Sequence, residues 1–176
     1  APPTRTGTER RPRSASVPRP EGSQVPDPQT VAERSAAAMW AGDAASHALG
    51  MVLDEVRPGY ARMSMEVRDD MVNGHSICHG GLVFALADSA FAFACNSYNR
   101  AAVAQACDIV FVAPARLGDV LVAEAVERSR FGRNGIYDVT VTAVVGGGSG
   151  GAGELVAEFR GRSRQIAGTL AEESPP

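Results

Sequence analysis

The longest apolar run in the chain extends from about His79 to Asn96, and Asp88 is its one formally charged side chain. A run of this length predicts a single long helix. Because that helix is apolar on nearly all sides, it has to be buried on all of them, whereas a sheet covers only one side. We therefore expect a second copy of the chain to cover the remaining faces.

Six shorter runs alternate between apolar and polar residues or are rich in Val and Ile, which is typical of β-strands. Two of them, residues 51–57 and 60–67, flank Pro58 and Gly59 and predict a hairpin. The other four runs follow the long helix, with turns predicted at residues 114–118 and 130–134. These four strands are expected at residues 103–113, 120–128, 135–145 and 154–164.

Two helices are predicted before the first strand. Thr30, with Glu33 three residues later, is the predicted N-cap of a helix that runs to Trp40. A short helix follows at residues 44–49. The order of elements therefore predicts an α+β fold in which an antiparallel sheet wraps around one long central helix.

The chain is expected to form one domain, residues 30–170, between two disordered tails, residues 1–29 and 171–176. The N-terminal tail is rich in Pro, Arg, Ser and Thr and has too few large apolar side chains to offset chain entropy. The glycine-rich run at residues 146–153 lacks the Lys-Ser/Thr pair of a phosphate loop and leads into a strand. We interpret it as a flexible hairpin connection.

Composition weighs against several classes of partner. The formal net charge of -3 and the pI near 5.6 argue against nucleic acid or an anionic membrane as the main partner. Three cysteines, Cys78, Cys95 and Cys107, form no recognisable disulfide framework. The sequence shows neither a long apolar span nor an export signal, so we expect a cytoplasmic protein.

Asp88 is the leading candidate for a catalytic residue. An ionised carboxylate is costly in an apolar environment unless a partner stabilises it or its pKa moves. Carboxylates with perturbed pKa values are typical of general bases and nucleophiles. The alternative is a structural carboxylate that caps a neighbouring loop or pairs with an arginine across a dimer.

The start of the central helix is the second candidate. Gly80 and Gly81 leave free backbone N–H groups at the helix N-terminus, where they can hold negative charge that develops on a carbonyl oxygen. Eight residues separate Gly80 from Asp88, which is about 12 Å along a straight helix. Since that is too far for one carbonyl, we predict two composite sites between antiparallel helices of a two-fold dimer.

Two other chemistries start from the loop before the helix. His75, Cys78 and His79 resemble part of a zinc site, but a fourth ligand is missing. Cys78 as a nucleophile needs a base in suitable geometry, and its immediate neighbour His79 is poorly placed for that role. We expect neither a metal ion nor a cysteine nucleophile.

The stretch from Asn73 to Asn96, NGHSICHGGLVFALADSAFAFACN, resembles the central motif of the hotdog-fold acyl-CoA thioesterases of the phenylacetate-degradation (PaaI) type. The resemblance extends from about residue 31 to residue 169 and implies a hotdog fold. It implies that Asp88 attacks the thioester or activates a water, and that the Gly80 amide polarises the carbonyl. It also implies that Asn73 binds substrate or positions the water, and that His79 supports the loop or contacts the acyl group.

The same resemblance implies a substrate that carries coenzyme A, so that no separate cofactor is needed. Some relatives place a serine on the strand after the helix, and that position is Ala104 here, beside Gln105. A rim that binds the coenzyme A phosphates is expected at positions that match the family or carry a basic side chain. These positions are Gly81, Arg133, Asn134, Gly135, Arg160, Arg162 and Arg164.

The resulting functional hypothesis is hydrolysis of a small or aromatic acyl-CoA, such as phenylacetyl- or hydroxyphenylacetyl-CoA. The resemblance also implies an assembly above the dimer, a homotetramer. A noncatalytic module that binds acyl-CoA is the first alternative, and a hydratase of the same fold is the second. The combination of Asp88, Asn73 and Gly80 favours the enzyme.

Overall fold

The order of helices and strands agrees with the predicted α+β architecture. The computed structural model describes residues 26–144 and 153–172, and all structural statements below concern these residues. The helices are α1 (Pro28–Gly42), α2 (Ala44–Ala48) and α3 (Gly80–Asn96), with a short 3-10 turn at Asp69–Met71. The strands are β1 (Val52–Arg57), β2 (Tyr60–Glu66), β3 (Ala102–Phe111), β4 (Val120–Phe131), β5 (Asn134–Val144) and β6 (Glu154–Gln165).

The strands form one six-stranded sheet in the order β1-β2-β4-β5-β6-β3. Every neighbouring pair is antiparallel, as predicted. Strand β3 pairs with the last strand rather than with its neighbours along the chain, so β1 and β3 are the two edges. This sheet, curved around one helix, is the hotdog fold that the resemblance implies.

Helix α3 packs against all six strands, and its large side chains form the core with the inward-facing residues of the sheet. Phe91 is fully buried and lies between Tyr137 and Phe159, at ring-centroid distances of 5.5 and 5.9 Å. A stripe of α3 that includes Ala85, Asp88 and Ala92 stays partly exposed. A single chain therefore leaves one side of α3 open, as the hydrophobic pattern predicts.

The start of α1 differs from the prediction. Asp27, not Thr30, is the N-cap, and its Oδ2 accepts from the Thr30 amide at 3.2 Å. Pro28 then occupies the first helical position, where its missing N–H costs nothing. Gln29 belongs to the folded domain as well, because its Nε2 donates to the Val56 carbonyl at 2.9 Å. The domain thus begins before residue 30.

The hairpin between β4 and β5 is tighter than predicted. Arg130 and Asn134 were expected in a turn, but each lies in a strand, and Phe131 pairs with Asn134. The turn shrinks to Gly132 and Arg133, because Gly132 adopts a φ of 56° that few other residues tolerate.

Two predicted segments fall largely outside the described residues: the N-terminal tail up to residue 25 and the glycine-rich run up to residue 152. The predicted C-terminal tail starts at Ala171, which forms hydrogen bonds with Asn99. No helix in residues 26–144 or 153–172 combines the length and hydrophobicity needed to cross a membrane.

We predict that Gly161→Ala destabilises the fold by about 1–3 kcal/mol, because overpacking a core costs that much. A Cβ atom at Gly161 would lie 2.8 Å from ring carbons of Phe91, which the aromatic neighbours hold in place. Urea unfolding measures the change. Gly42→Ala is the matched control, since its Cβ meets nothing within 4 Å and its stability should not fall. Equal stability of the two variants would contradict the tight packing of α3.

Candidate active site

The N-terminus of α3 presents an unpaired backbone donor. His79 is the N-cap: its Nδ1 accepts from the Gly81 amide at 3.0 Å, and its carbonyl accepts from the Leu82 amide at 2.8 Å. The Gly80 amide has no acceptor among the described residues. An unpaired amide at a helix N-terminus attracts partial negative charge. His79 thus supports the loop, and the Gly80 N–H is left available.

The loop before α3 is shaped by Asn73. Its Oδ1 accepts from the His75 amide at 2.9 Å, and its own amide donates to the Ile77 carbonyl at 2.8 Å. This Asx turn is the structural role that Asn-Gly pairs often have. The Asn73 Nδ2 has no acceptor in the described part of the chain, so the same side chain still offers a donor.

Asn73 and Gly80 line the same cavity, which has a volume of about 490 Å³. Its other walls are mainly apolar and include Ile77, Val83 and Phe111. The Phe111 ring lies close to Gly80, because a Cβ there would approach the ring to 3.0 Å. Two polar donors in the wall of an apolar cavity can orient a carbonyl whose substituent is apolar.

Asp88 lies in a different cavity of about 350 Å³, lined mainly by apolar residues from α1, α3, β3 and the C-terminal segment, with Asn96 as a further polar residue. Its Oδ1 lies 3.8 Å from the Cys107 Sγ, and no described cation forms an ion pair with it. Burial raises the pKa of Asp88, and the Cys107 hydrogen bond lowers it by a smaller amount. Asp88 therefore has the environment of a functional carboxylate, without an arginine partner in its own chain.

The two halves of the predicted site do not meet within one chain. The Asn73 and Gly80 cavity shares no lining residue with the Asp88 cavity. Both cavities include residues of α3 beside β3: Gly80 approaches Phe111, and Asp88 contacts Cys107. Asp88 and Gly80 thus occupy separate positions along one helix, as the spacing predicts.

A third cavity, of about 220 Å³, contains the arginine-rich β4–β5 turn. Arg100, Arg130, Arg133 and Asn134 line it, and it shares Cys95 and Ala102 with the Asp88 cavity. Arg130 also lies over the Tyr98 ring at 3.6 Å. Cations gathered in a concave site can bind an anionic group.

Within this cavity Arg133 is fixed in place, because its Nη2 donates to the Gln165 carbonyl at 2.9 Å. Gly135 sits behind the wall: a Cβ there would lie 2.8 Å from the Ser163 Oγ. Close packing against Ser163 therefore explains why a glycine occupies this position, independently of any contact with a phosphate.

The other predicted rim residues lie elsewhere. Arg160 and Arg162 alternate with buried residues of β6 and point away from α3. Arg160 pairs with Asp138 at 2.6 Å and Arg162 with Asp108 at 2.9 Å, both on the outer face of the sheet. Gly81 donates its amide to His79. None of these three residues lines the cavities described above.

The geometry of the described residues supports neither Cys78 as a nucleophile nor a metal site. The Cys78 thiol is buried, which raises its pKa, and it contacts the His79 carbonyl rather than a base. Within the described residues, no three His, Cys, Asp or Glu side chains form a group that could hold a metal ion.

Sequence reasoning missed the C-terminal segment of residues 166–172. Ile166 and Leu170 line the Asp88 cavity. Asn99 holds the segment: its Oδ1 accepts from the Leu170 amide at 3.0 Å and the Ala171 amide at 2.8 Å, and its Nδ2 donates to the Ala171 carbonyl at 3.1 Å. Nothing in the sequence pattern pairs Asn99 with residues so far along the chain.

Comparisons with known proteins show similarity to thioesterases. The family model described as "Thioesterase superfamily" matches residues 75–147. The chain is 42% identical over 141 residues to the acyl-coenzyme A thioesterase PaaI of Escherichia coli, which covers 80% of this chain and 96% of that protein.

Solved structures give the same result. The Escherichia coli PaaI protein from the phenylacetic acid degradation operon superposes with a TM-score of 0.76 at 41% identity, covering 81% of this chain and 99% of that one. A mutant of the phenylacetic acid degradation protein PaaI from Thermus thermophilus gives a TM-score of 0.62 at 36% identity, covering 69% of this chain and 97% of that one.

We predict that Asn99→Gly frees the C-terminal segment. Glycine keeps the φ of 53° at this position but removes three hydrogen bonds, so the amides of residues 170 and 171 should exchange at least about tenfold faster. Hydrogen–deuterium exchange measures this rate. Asn99→Asp retains the Oδ1 acceptor and should fall between the two. Unchanged exchange in the glycine variant would show that Asn99 does not hold the segment.

Proposed function

Because the chain belongs to the thioesterase superfamily and is an acyl-coenzyme A thioesterase of the PaaI type, we propose that it hydrolyses small or aromatic acyl-CoA thioesters at sites shared by two copies. The products are the free acid and coenzyme A. The observation that carries the proposal is the unpaired Gly80 amide in the wall of an apolar cavity, beside the same edge strand β3 whose Cys107 contacts the partly buried Asp88.

The open side of the molecule supports a two-fold dimer. Edge strand β3 and the residue that follows it expose large apolar side chains: Val103, Val110, Phe111 and Val112 have 48%, 65%, 52% and 54% of their surface accessible. An unpaired strand edge with exposed apolar residues favours pairing with another chain. The partly exposed stripe of α3 adjoins this edge, so one partner would cover both.

The positions along β3 also give the register. Asp88 contacts Cys107, and Gly80 lies beside the Phe111 ring. Four residues of β3 span about 13 Å, which matches the length of eight residues of α3. Antiparallel pairing of two β3 strands about Ile109 would set Cys107 opposite Phe111 of the other copy. Asp88 of one copy would then approach Gly80 of the other, which forms two identical sites.

In each composite site the Gly80 amide would donate to the thioester carbonyl oxygen and stabilise the charge that develops there. Asn73 would contribute its free Nδ2 to the substrate or to the reacting water. The ionised Asp88 would attack the carbonyl carbon or remove a proton from an attacking water. On either route water supplies the hydroxyl of the acid, and the thiolate of coenzyme A leaves and takes up the proton.

The arginine-rich cavity would receive the phosphates of coenzyme A. It adjoins the Asp88 cavity through Cys95 and Ala102, so an extended pantetheine arm can connect the two. The phosphates would contact Arg100, Arg133 and Asn134, which line this cavity. Gly135 has no side chain and would therefore leave space for Ser163 beside the cavity.

The acyl group would occupy the cavity of Asn73 and Gly80. Its apolar walls suit an aromatic or short aliphatic group, and a phenylacetyl or hydroxyphenylacetyl group is our first choice. The origin of a solved relative in a phenylacetic acid degradation operon supports this choice. The tetramer and the cytoplasmic location stay predictions.

We predict that Asp88→Asn leaves the fold intact and lowers kcat by about two orders of magnitude or more, because it removes the nucleophile or base. Release of free thiol from a panel of aromatic, short and long acyl-CoA thioesters measures turnover, and circular dichroism checks the fold. Near-normal turnover of the variant would exclude Asp88 from the mechanism. Tight binding of acyl-CoA without turnover by the unaltered protein would support the noncatalytic module.

We predict that Arg133→Ala raises KM for acyl-CoA about tenfold or more and changes kcat little, because it removes a charged contact to a phosphate. A thioester of free pantetheine, which lacks the nucleotide, should be hydrolysed equally well by the variant and the unaltered protein. Arg62→Ala is the control, since Arg62 is exposed on the outer face of β2. An equal KM for the nucleotide-bearing substrate would place the phosphates elsewhere.

A further inference from the structure

We infer that Cys107 is a positioning residue for the reaction, whose thiol donates a hydrogen bond to Asp88 and keeps this carboxylate ionised and correctly oriented. This inference rests on the proposed function, because it assigns a second residue to the same site. The Sγ of Cys107 and the Oδ1 of Asp88 are 3.8 Å apart, within reach of a weak sulfur hydrogen bond. It is the one side-chain hydrogen bond that Asp88 makes among the described residues.

The fold holds the two groups together. Cys107 lies in the middle of β3, where it pairs with Gly161 of β6, and faces α3. Because Gly161 has no side chain, the Phe91 ring packs directly against it. Asp88 lies one helical turn before Phe91 on α3. The contact is thus fixed by the packing of α3 on the sheet and not by a flexible loop.

The thiol is the proton donor in this pair. Burial, with Asp88 as the second cause, raises the pKa of Cys107 to about 11, so the thiol stays protonated at neutral pH. A donor to the charged form of a carboxylate lowers the pKa of the carboxylate. Burial pushes the pKa of Asp88 upward, and Cys107 opposes that shift.

No other described side chain donates a hydrogen bond to Asp88. Asn96 also lines the cavity, but its Nδ2 donates to the Ala92 and Ala102 carbonyls. The cavity around Asp88 has one further titratable side chain, Cys95, and burial raises its pKa to about 12. Ser89, the next residue, pairs with Ser46. On β3, Ala104 also lines the cavity, and its side chain has no donor. Asp108 and Arg162, which lie near Cys107, pair with each other on the outer face.

In the proposed dimer the Gly80 end of a second copy also faces Asp88, and the titratable side chains of the loop at that end are His75, Cys78 and His79. All three are present in every variant compared below. A difference between the variants in the pH profile therefore reports the change at residue 107.

The test compares Cys107→Val, which fills the site without a donor, with Cys107→Ser, which keeps one. In the valine variant we expect the acid limb of the kcat/KM profile to move up by about half a unit to one unit, because Asp88 loses its donor. On that limb, activity should fall roughly three- to tenfold, with little change in KM. The serine variant should return the limb to that of the unaltered protein.

If Cys107 only packed against its neighbours, its replacement would not shift the acid limb of the kcat/KM profile. The serine and valine variants would then give the same profile. An unchanged acid limb in Cys107→Val would therefore overturn the inference. So would an equal shift in both variants.

A second measurement does not depend on turnover. The infrared S–H stretching band of Cys107, assigned by its loss in Cys107→Val, should move to higher frequency in Asp88→Ala, where the acceptor is gone. The Cys78 band is the internal control, because its thiol contacts the His79 carbonyl instead. An unshifted Cys107 band would overturn the inference even if acyl-CoA is hydrolysed. A shifted band in a protein that hydrolyses no acyl-CoA would refute the proposed function but not the hydrogen bond.

Discussion

The length of one helix is the constraint on which the site depends. Gly80 begins α3 and Asp88 lies eight residues later, so the amide and the carboxylate stay about 12 Å apart in any state in which α3 is intact. No movement of loops can bring them to one carbonyl. Chemistry that uses both groups requires two copies of α3, and the exposed apolar edge of β3 is the surface to which we propose that a second copy binds.

The same helix explains why Asp88 needs support. A helix wrapped by a sheet has to be apolar, and an acid placed on it is partly removed from water. Burial makes the carboxylate a stronger base and a more reactive nucleophile but also favours its inactive, protonated form. The described chain offers no cation beside it. A neutral thiol can favour the charged form without neutralising it, which is the role that we assign to Cys107.

Much of this could be predicted from sequence, because it follows from local patterns. Alternation located all six strands, and the isolated acid singled out Asp88. Local patterns also misplaced details: Thr30 resembles a cap, but Asp27 precedes Pro28 and takes that role. Contacts between segments that are distant along the chain could not be predicted from the sequence. The Cys107 contact with Asp88 and the Asn99 contact with Ala171 each join positions with no shared pattern. The same lack of long-range information put Arg160 on the rim, although its strand register turns it to Asp138 on the outer face.

Complementation between two inactive variants tests the shared site most directly. Asp88→Asn and Gly80→Val each damage one half of the site, and a side chain at Gly80 would meet the Phe111 ring. In a mixed dimer, isolated by two different affinity tags, one site carries both defects and the other carries neither. The account predicts that such dimers recover about half of the thioesterase activity of the unaltered dimer. Mixed dimers as inactive as their two parents would contradict a site built from Gly80 of one copy and Asp88 of the other.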